Sequence, residues 1–461
     1  MAQHTPVVRT WMPDWRREAL RTNLWLVPTL LTVAVVVVFV VTYAIDRAAF
    51  HGDLTLPSWM NEGSADAGRQ VLSAIAAGVI TVAGVVFSVT IVVLTLASQQ
   101  FGPRMLRNFI RDLGTQVSLG TFVATFVYSV LALGSIDSSG AQQFVPHLTI
   151  TVCLLLLLVD VAVLIYFIHH TAVTIQLPQV MAGISNDLHT AIDIQFPVTA
   201  SADRQEESGS AEVATVAQQL RDEGVIVAAK TSGYLQFVRH DQLVDIAAAN
   251  GSVIELLFRP GHFVTAGLPM ARVWPPDSAV KSTAALQKGH VAGPYRTLSQ
   301  DPVFAIDQLV EIAIRALSTA VNDTFTALTC IDWLADGLCH ITRRHLPRGV
   351  YRDEEGAIRV IEPSPDYSRI VNRACDKIRQ AGQGMPAVLI RQMDGLGKVL
   401  TTTTNDEQRR VVMRQVDMTP RAGVSDIEEP NDRRDLELRH QAIISRYTSF
   451  GTPLAATDDP D

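Results

Sequence analysis

The chain has 461 residues, 38 Lys+Arg against 46 Asp+Glu for a net charge of −8, and only 18% charged residues. Its mean hydropathy is +0.20, and soluble proteins carry about 25% charged residues, so the apolar surplus must be concentrated somewhere, with a membrane the first suspect. With 28 Gly, 22 Pro and 48% hydrophobic residues the composition excludes collagen, coiled coil and wholesale disorder. The acidic balance speaks against nucleic acid as a partner, because phosphates need a basic surface. Four scattered cysteines, Cys153, Cys330, Cys339 and Cys375, make no disulfide framework and suit a reducing compartment.

The surplus falls almost entirely before residue 170. Leu24 to Ile45 and Val71 to Ala97 carry no charge, nor does Val117 to Ile136, and Leu148 to Ile168 is interrupted only by Asp160. Each run reaches the roughly 20 residues that carry a helix across about 30 Å of hydrocarbon. Trp25 and Tyr43 sit near opposite ends of the first run, as interfacial aromatics do. That run is too long for a cleaved signal peptide, and no small-x-small site follows it.

Flanking charges predict the topology. Arg9, Arg16, Arg17 and Arg21 precede the first run, and Arg104, Arg107 and Arg111 lie between the second and third. The other two connections hold only Arg47 and Arg69, among five acids. The positive-inside rule then places both termini and the long C-terminal part in the cytoplasm. Arg104, Arg107 and Arg111 fall within about 60° on a helical wheel, opposite Met105, Leu106, Phe109, Ile110 and Leu113. This predicts an interfacial helix whose arginines meet anionic lipid headgroups; an amphipathic helix docked on the soluble part is the alternative.

The second span carries a stripe. Gln70, Ser73, Ala77, Thr81, Gly84, Ser88, Thr95 and Gln99 share a face about 80° wide, and Ile75, Val79, Val82, Val86 and Val93 fill the opposite side. Small polar residues allow close helix packing or line a wetted path; Ile91 and Val92, which interrupt the stripe, would then be a dewetting constriction. Asp160 lies mid-membrane with no Lys or Arg inside any span to pair with it. It is expected to bind a proton or cation, or to stay neutral and hydrogen-bond a hydroxyl such as Tyr128 or Thr90. His169 and His170 follow; neighbours on a helix point apart and share no metal ion, so a structural or headgroup-level role is expected.

From Gln176 the composition turns globular. Ala200 to Ala211 reads as a mobile connection. Val225–Ala229, Tyr234–Val238, Val253–Phe258 and Met270–Trp274 read as strands, and Asp241–Ala249 as a helix ending at Asn250-Gly251. The run Arg259 to Met270 resembles the turn-and-strand signature of biotinyl/lipoyl-type barrel-sandwich folds, but no Met-Lys-Met tip exists to carry a cofactor. Asp301-Pro302 opens a helix with a broad apolar face, and Asn322-Asp323 caps a second, about 324–340, to form an αα-hairpin. Helices follow at Asp366–Gln380, Val388–Leu400 and Arg433–Ser445, and disorder is expected from Gly451. The expected fold is thus mixed: a four-helix α-helical transmembrane domain followed by a cytoplasmic α/β (α+β) domain with an αα-hairpin. Its segments are an N-terminal stretch 1–23, a four-span domain 24–175, a sandwich-like α/β domain 176–300, a helical domain 301–403 and a charged tail 404–461.

The segments Ser64–Arg69, Ala97–Arg104, Leu119–Phe126, Ile165–His170, Arg296–Asp301 and Ala316–Ala327 resemble a bacterial family of predicted membrane proteins, domain-of-unknown-function family 2254. The resemblance spans roughly residues 16 to 400; it implies a multi-pass protein of the bacterial inner (cytoplasmic) membrane and no activity. The family tends to read Ala-Leu-Ser-Pro-x-Ile-Asn-Asp-Pro in the second hairpin turn, and here Thr319 and Thr324 stand for the two prolines.

There is no Walker loop, Gly-x-Ser-x-Gly elbow, His-Glu-x-x-His or Cys-x-x-Cys, so neither an enzyme nor a cofactor or metal is expected. The soluble candidates for ligand or subunit contact are Arg296, Asp301, Asn322 and Asp323, with Arg296 able to clamp an anion near helix N-termini; capping alone would also explain both aspartates. The leading reading is a homo-oligomeric channel- or transport-like protein, its path lined by Ser73, Thr81, Gly84, Ser88, Ile91, Val92 and Thr95. The alternative is a membrane-anchored sensor or scaffold that binds a ligand or partner through its cytoplasmic half.

Overall fold

The computed structural model describes residues 25–51, 54, 64–101, 112–137, 144–174, 176–197, 203–424 and 426–448. They divide into two compact units, 1–180 and 181–461.

The first unit is built on α1 (Leu26–Phe50), α2 (Ala65–Phe101), α3 (Leu113–Gly134) and α4 (His147–Thr174). All four are long and apolar enough to cross a membrane. Each outgrows the uncharged run that announced it: at 37 residues α2 is about 55 Å long. The helices run up and down, and α3 is the central one, packed on α1, α2 and α4. Its composition permits this. Ser118, Gly120, Ala124, Thr125, Ser129 and Ala132 are buried along it, and small residues let membrane helices approach closely. At Gly120 a Cβ would stand 2.9 Å from Pro28 Cα and 2.7 Å from Leu31 Cδ1, so α1 crosses where α3 has no side chain. The core is completed by Leu72, Ile75, Val79, Val86, Phe122, Tyr128 and Phe167.

The second unit takes in most of α5 (Leu177–Gln195) and continues through α6 (Asp203–Glu223) into a mixed helix-and-sheet region. The mobile connection expected at 200–211 is therefore corrected: from Asp203 it is helix. A polar first half hid the period, but Val213 and Val216 pack beside buried Leu220 against Val253, Ile358 and Ile361. The strands are β1 (Val225–Ala228), β2 (Gly233–Val238), β3 (Val253–Leu256), β4 (Phe263–Val264), β5 (Pro269–Trp274), β6 (His290–Gly293), β7 (Val350–Arg352) and β8 (Ile358–Ile361). One sheet has the order β1-β5-β3-β8-β7, the other β4-β2-β6. Only β3 and β8 pair in parallel, Ile254 opposite Val360. Both sheets share a core with α7 (His240–Ala249) and α8 (Ala279–Gly289), through Leu235, Ile254, Val264 and Val273 with Leu243 and Leu286. The strands at 350–361 lie inside the stretch read as helical, too short to show a period of their own.

The remaining helices are α9 (Val303–Ala316), α10 (Thr324–Thr342), α11 (Tyr367–Ala381), α12 (Pro386–Thr401), α13 (Asp406–Val424) and α14 (Pro430–Thr448). Eleven residues of α9 are buried, so it is the axis of this part. In α13, Val412 and Val416 are fully buried, and its buried Gln408 and Gln415 donate to Thr342 O and Asn372 Oδ1.

Candidate functional site

The stripe on α2 is turned outward. Gln70, Ser73, Ala77, Thr81, Gly84, Ser88, Thr95 and Gln99 are all exposed, while Ile75, Val79 and Val86 are buried and Val82 and Val93 half-buried. Thr81 and Thr95 donate their hydroxyls to the carbonyls of Ala77 and Ile91 one turn earlier. Nothing stands within 4 Å of a Cβ built on Gly78 or Gly84. Ile91 and Val92 are exposed beside the stripe. Among the described residues the small-polar face is therefore no seam within the bundle.

Asp160 is 3% exposed. Its Oδ1 accepts from Thr125 Oγ1 at 3.2 Å, and its Oδ2 has no hydrogen-bond partner. A hydroxyl partner was expected, but not this one. Tyr128 pairs instead with Thr42 at 3.0 Å, and Thr90 turns back on Val86 O. Both expected partners are thus corrected to Thr125, which the central position of α3 brings to α4.

Polar clamps close the bundle at both ends. At one end Asp46, buried on the last turn of α1, accepts from Leu148 N, Thr149 N and Thr149 Oγ1 at 2.9, 2.9 and 2.7 Å, capping α4 from another helix. Beside it Arg69 Nη2 donates to Ile136 O. At the other end Asp112 caps α3 through Thr115 N and meets His170 Nε2 at 2.9 Å. The His170 ring stacks on Tyr166, with centroids 5.2 Å apart. A small cavity of about 30 Å³ lies here, lined by Thr90, Leu94, Asp112, Thr115, His170 and Thr171. That is room for a water molecule, and the buried Thr171 Oγ1 has no partner of its own. Arg104, Arg107 and Arg111, expected to face lipid headgroups, lie outside the described residues.

In the second unit the four expected contact residues part into two pairs. Asp323 caps α10, accepting from Thr326 N at 3.1 Å, and Asn322 precedes it at a φ of 50°. Asp301 does not cap. Pro302 holds the cap position of α9, and the Asp301 carboxylate instead takes Arg296 Nε and Nη2 at 2.8 and 2.6 Å. The 14 residues of α9 set the two groups about 21 Å apart, at opposite ends of that helix. Arg296 also bonds Asp307, which Arg373 meets from α11. Burial disfavours the Arg296 charge, but Asp301 and Asp307 more than offset this and hold its pKa above the ordinary value. The sequence reading missed Asp46, Arg69, Asp307, Arg259 and Arg373. Asp307 left a trace, as an acid within an otherwise apolar helix face.

Four membrane-length helices with internal polar clamps, followed by a mixed helix-and-sheet unit, define a multi-span membrane protein. Residues 21–398 match the family described as predicted membrane protein, DUF2254, and the chain belongs to that family. An uncharacterized protein of Mycobacterium tuberculosis strain H37Rv is 33% identical over 381 residues, 81% of this chain and 71% of its own. One of Mycobacterium bovis matches to the same extent. No solved structure matches.

Proposed function

We propose that the protein is a homo-oligomeric, channel- or transport-like component of the bacterial inner membrane, in which α2 helices from several copies line a water-accessible path. Both termini and the second unit lie in the cytoplasm, where α9 and α10 form a hairpin and the unit assembles or regulates the path. The observation that carries the reading is the outward stripe of α2: eight small or polar residues on one exposed face. In a lone copy this face meets lipid, where it has neither close packing nor water. A second copy supplies the packing, and a ring of copies supplies water, with Ile91 and Val92 as a hydrophobic constriction.

The test is cysteine accessibility in a background lacking the four native cysteines. Cysteine at Thr81, Ser88 or Thr95 is expected to react with a membrane-impermeant thiol reagent, and cysteine at Val79 or Val86 is not. Ile91→Ser is expected to leak ions from reconstituted vesicles. Uniform unreactivity along the stripe, or a monomer in mild detergent, refutes the path. The second reading, a membrane-anchored sensor, is favoured by the network of Arg296, Asp301, Asp307 and Arg373 in the second unit and would survive that refutation.

A further inference from the structure

Four arginines converge in the second unit. The turn Arg259–His262 is closed by a hydrogen bond from His262 N to Arg259 O at 3.1 Å and anchored by Gly261 N to Leu235 O at 2.8 Å. Gly261 has a φ of +92°, and a Cβ there would stand 2.2 Å from Asp301 Oδ2. The turn therefore lies directly on the carboxylate that holds Arg296. From Asp301 the network runs through Arg296 and Asp307 to Arg373 on α11. Arg369 sits one turn earlier on the same helix.

Two of the four guanidiniums are held by buried acids, a third meets an acid at the surface, and the fourth meets none. Arg296 and Arg373 are held by Asp301 and Asp307. Arg259 is half-buried, and its guanidinium makes no hydrogen bond or ion pair among the described residues. The acids nearest it in electrostatic reach are Asp301 and Glu362. Asp301 is bound by Arg296, and Glu362 by His240 at 3.0 Å and the Tyr351 hydroxyl at 2.8 Å. Arg369 is 80% exposed, with its Nε 3.5 Å from Asp366, whose other oxygen caps α11. His262 stands among them and is pushed down to about 4, by burial and then by Arg259, Arg296, Arg369 and Arg373 in turn. It is neutral at physiological pH. Arg259 is thus left without a carboxylate at hydrogen-bond distance, and Arg369 with one only at the surface.

We propose that Arg259 and Arg369, backed by Arg296 and Arg373, form a binding site for a phosphate-type dianion carried by a soluble phosphate compound or by a lipid headgroup. Arg259, which no carboxylate meets, and Arg369, whose one acid is held at the surface, offer two planar guanidinium forks that match a dianion's oxygens in geometry. The turn fixes Arg259 in place, since Gly261 admits no side chain over Asp301, and the helix fixes Arg369. Desolvating Arg259 without a partner is costly, and an oxyanion supplies that partner.

The test uses the full chain in neutral detergent and in lipid nanodiscs. Inorganic phosphate is expected to raise the melting temperature of the wild type beyond an equal ionic strength of chloride. Arg259→Gln and Arg369→Gln are each expected to weaken phosphate affinity on the order of tenfold, the loss of one charge-assisted contact. Arg369 is a surface residue, so its variant folds even where Arg259→Gln does not. Saturation by millimolar phosphate in detergent assigns the site to a soluble compound. A response only to nanodiscs containing phosphatidic acid, lost in the same variants, assigns it to a headgroup. No response to either anion, or responses undiminished in both variants, overturns the proposal and leaves the α2 path untouched.

Discussion

Asp46→Ala tests how the bundle is held. The carboxylate is 4% exposed and accepts three hydrogen bonds within 2.9 Å from the first turn of α4. A helix N-terminus has unsatisfied N–H groups and a partial positive charge, both served here by an acid from a different helix. A lost cap costs about 1 kcal/mol, and each buried bond to a charged group about 1.5–3 kcal/mol. The three bonds share one carboxylate and do not add in full, so the alanine variant is expected to lose about 3 kcal/mol. Asparagine keeps one oxygen acceptor and is expected to lose about 1 kcal/mol. Unfolding of the purified protein in mixed micelles of increasing SDS fraction measures both. An alanine variant within about 0.5 kcal/mol of wild type, or asparagine as damaging as alanine, refutes the inter-helix cap.

Three further outcomes are expected. Gly120→Ala places a Cβ 2.9 Å from the Pro28 backbone, so α1 must shift and the same assay is expected to register about 1–3 kcal/mol of destabilisation. His262 is held near 4 against about 6.5 in the unfolded chain. The unfolded state therefore takes up the proton first as pH falls. Its contribution is complete above pH 6.5 and is lost towards pH 4, at no more than about 1.4 kcal/mol per pH unit; His262→Gln is expected to flatten that part of the stability profile, and an unchanged slope refutes it. Topology reporters fused after Ile136 and after Thr174 are expected to read outside and inside respectively, and the reverse pair refutes the orientation.

The four spans were legible because a hydrocarbon slab imposes length and apolarity on each helix independently. Their ends were not, since α2 runs on through polar residues at both ends, from Ala65 to Phe101. In the second unit, strands Tyr234–Val238 and Met270–Trp274 and the helices after Asp301, Asp323 and Asp366 could be read from turn residues and period. What could not be read were pairings between distant segments. Nothing local announces that Val350–Arg352 and Ile358–Ile361 extend the sheet beside β3. Asp301 shows the same limit at one residue. Its position before a proline at a helix start predicts a cap, yet a half-buried arginine five residues earlier competes for the carboxylate and wins with two hydrogen bonds. The partner of Asp160 was equally a tertiary matter, decided by which helix lies in the middle.

That central helix also bears on the meaning of the α2 stripe. A row of small and hydroxyl-bearing residues in a span serves either packing within the chain or a function outside it, and the row alone does not distinguish them. Here the packing role is already filled by α3. Gly120 receives α1, Thr125 meets Asp160, and Ser129 lies 3.2 Å from Cys153 Sγ. The stripe of α2 is left over, with Ile75, Val79 and Val86 as the side that α2 gives to its own bundle. Exposed positions elsewhere in the four apolar helices are filled by residues such as Val33, Val37, Leu155 and Leu158. By that standard Ser73, Thr81, Ser88 and Thr95 depart from the pattern of the other exposed span positions, and the proposed path would account for the departure.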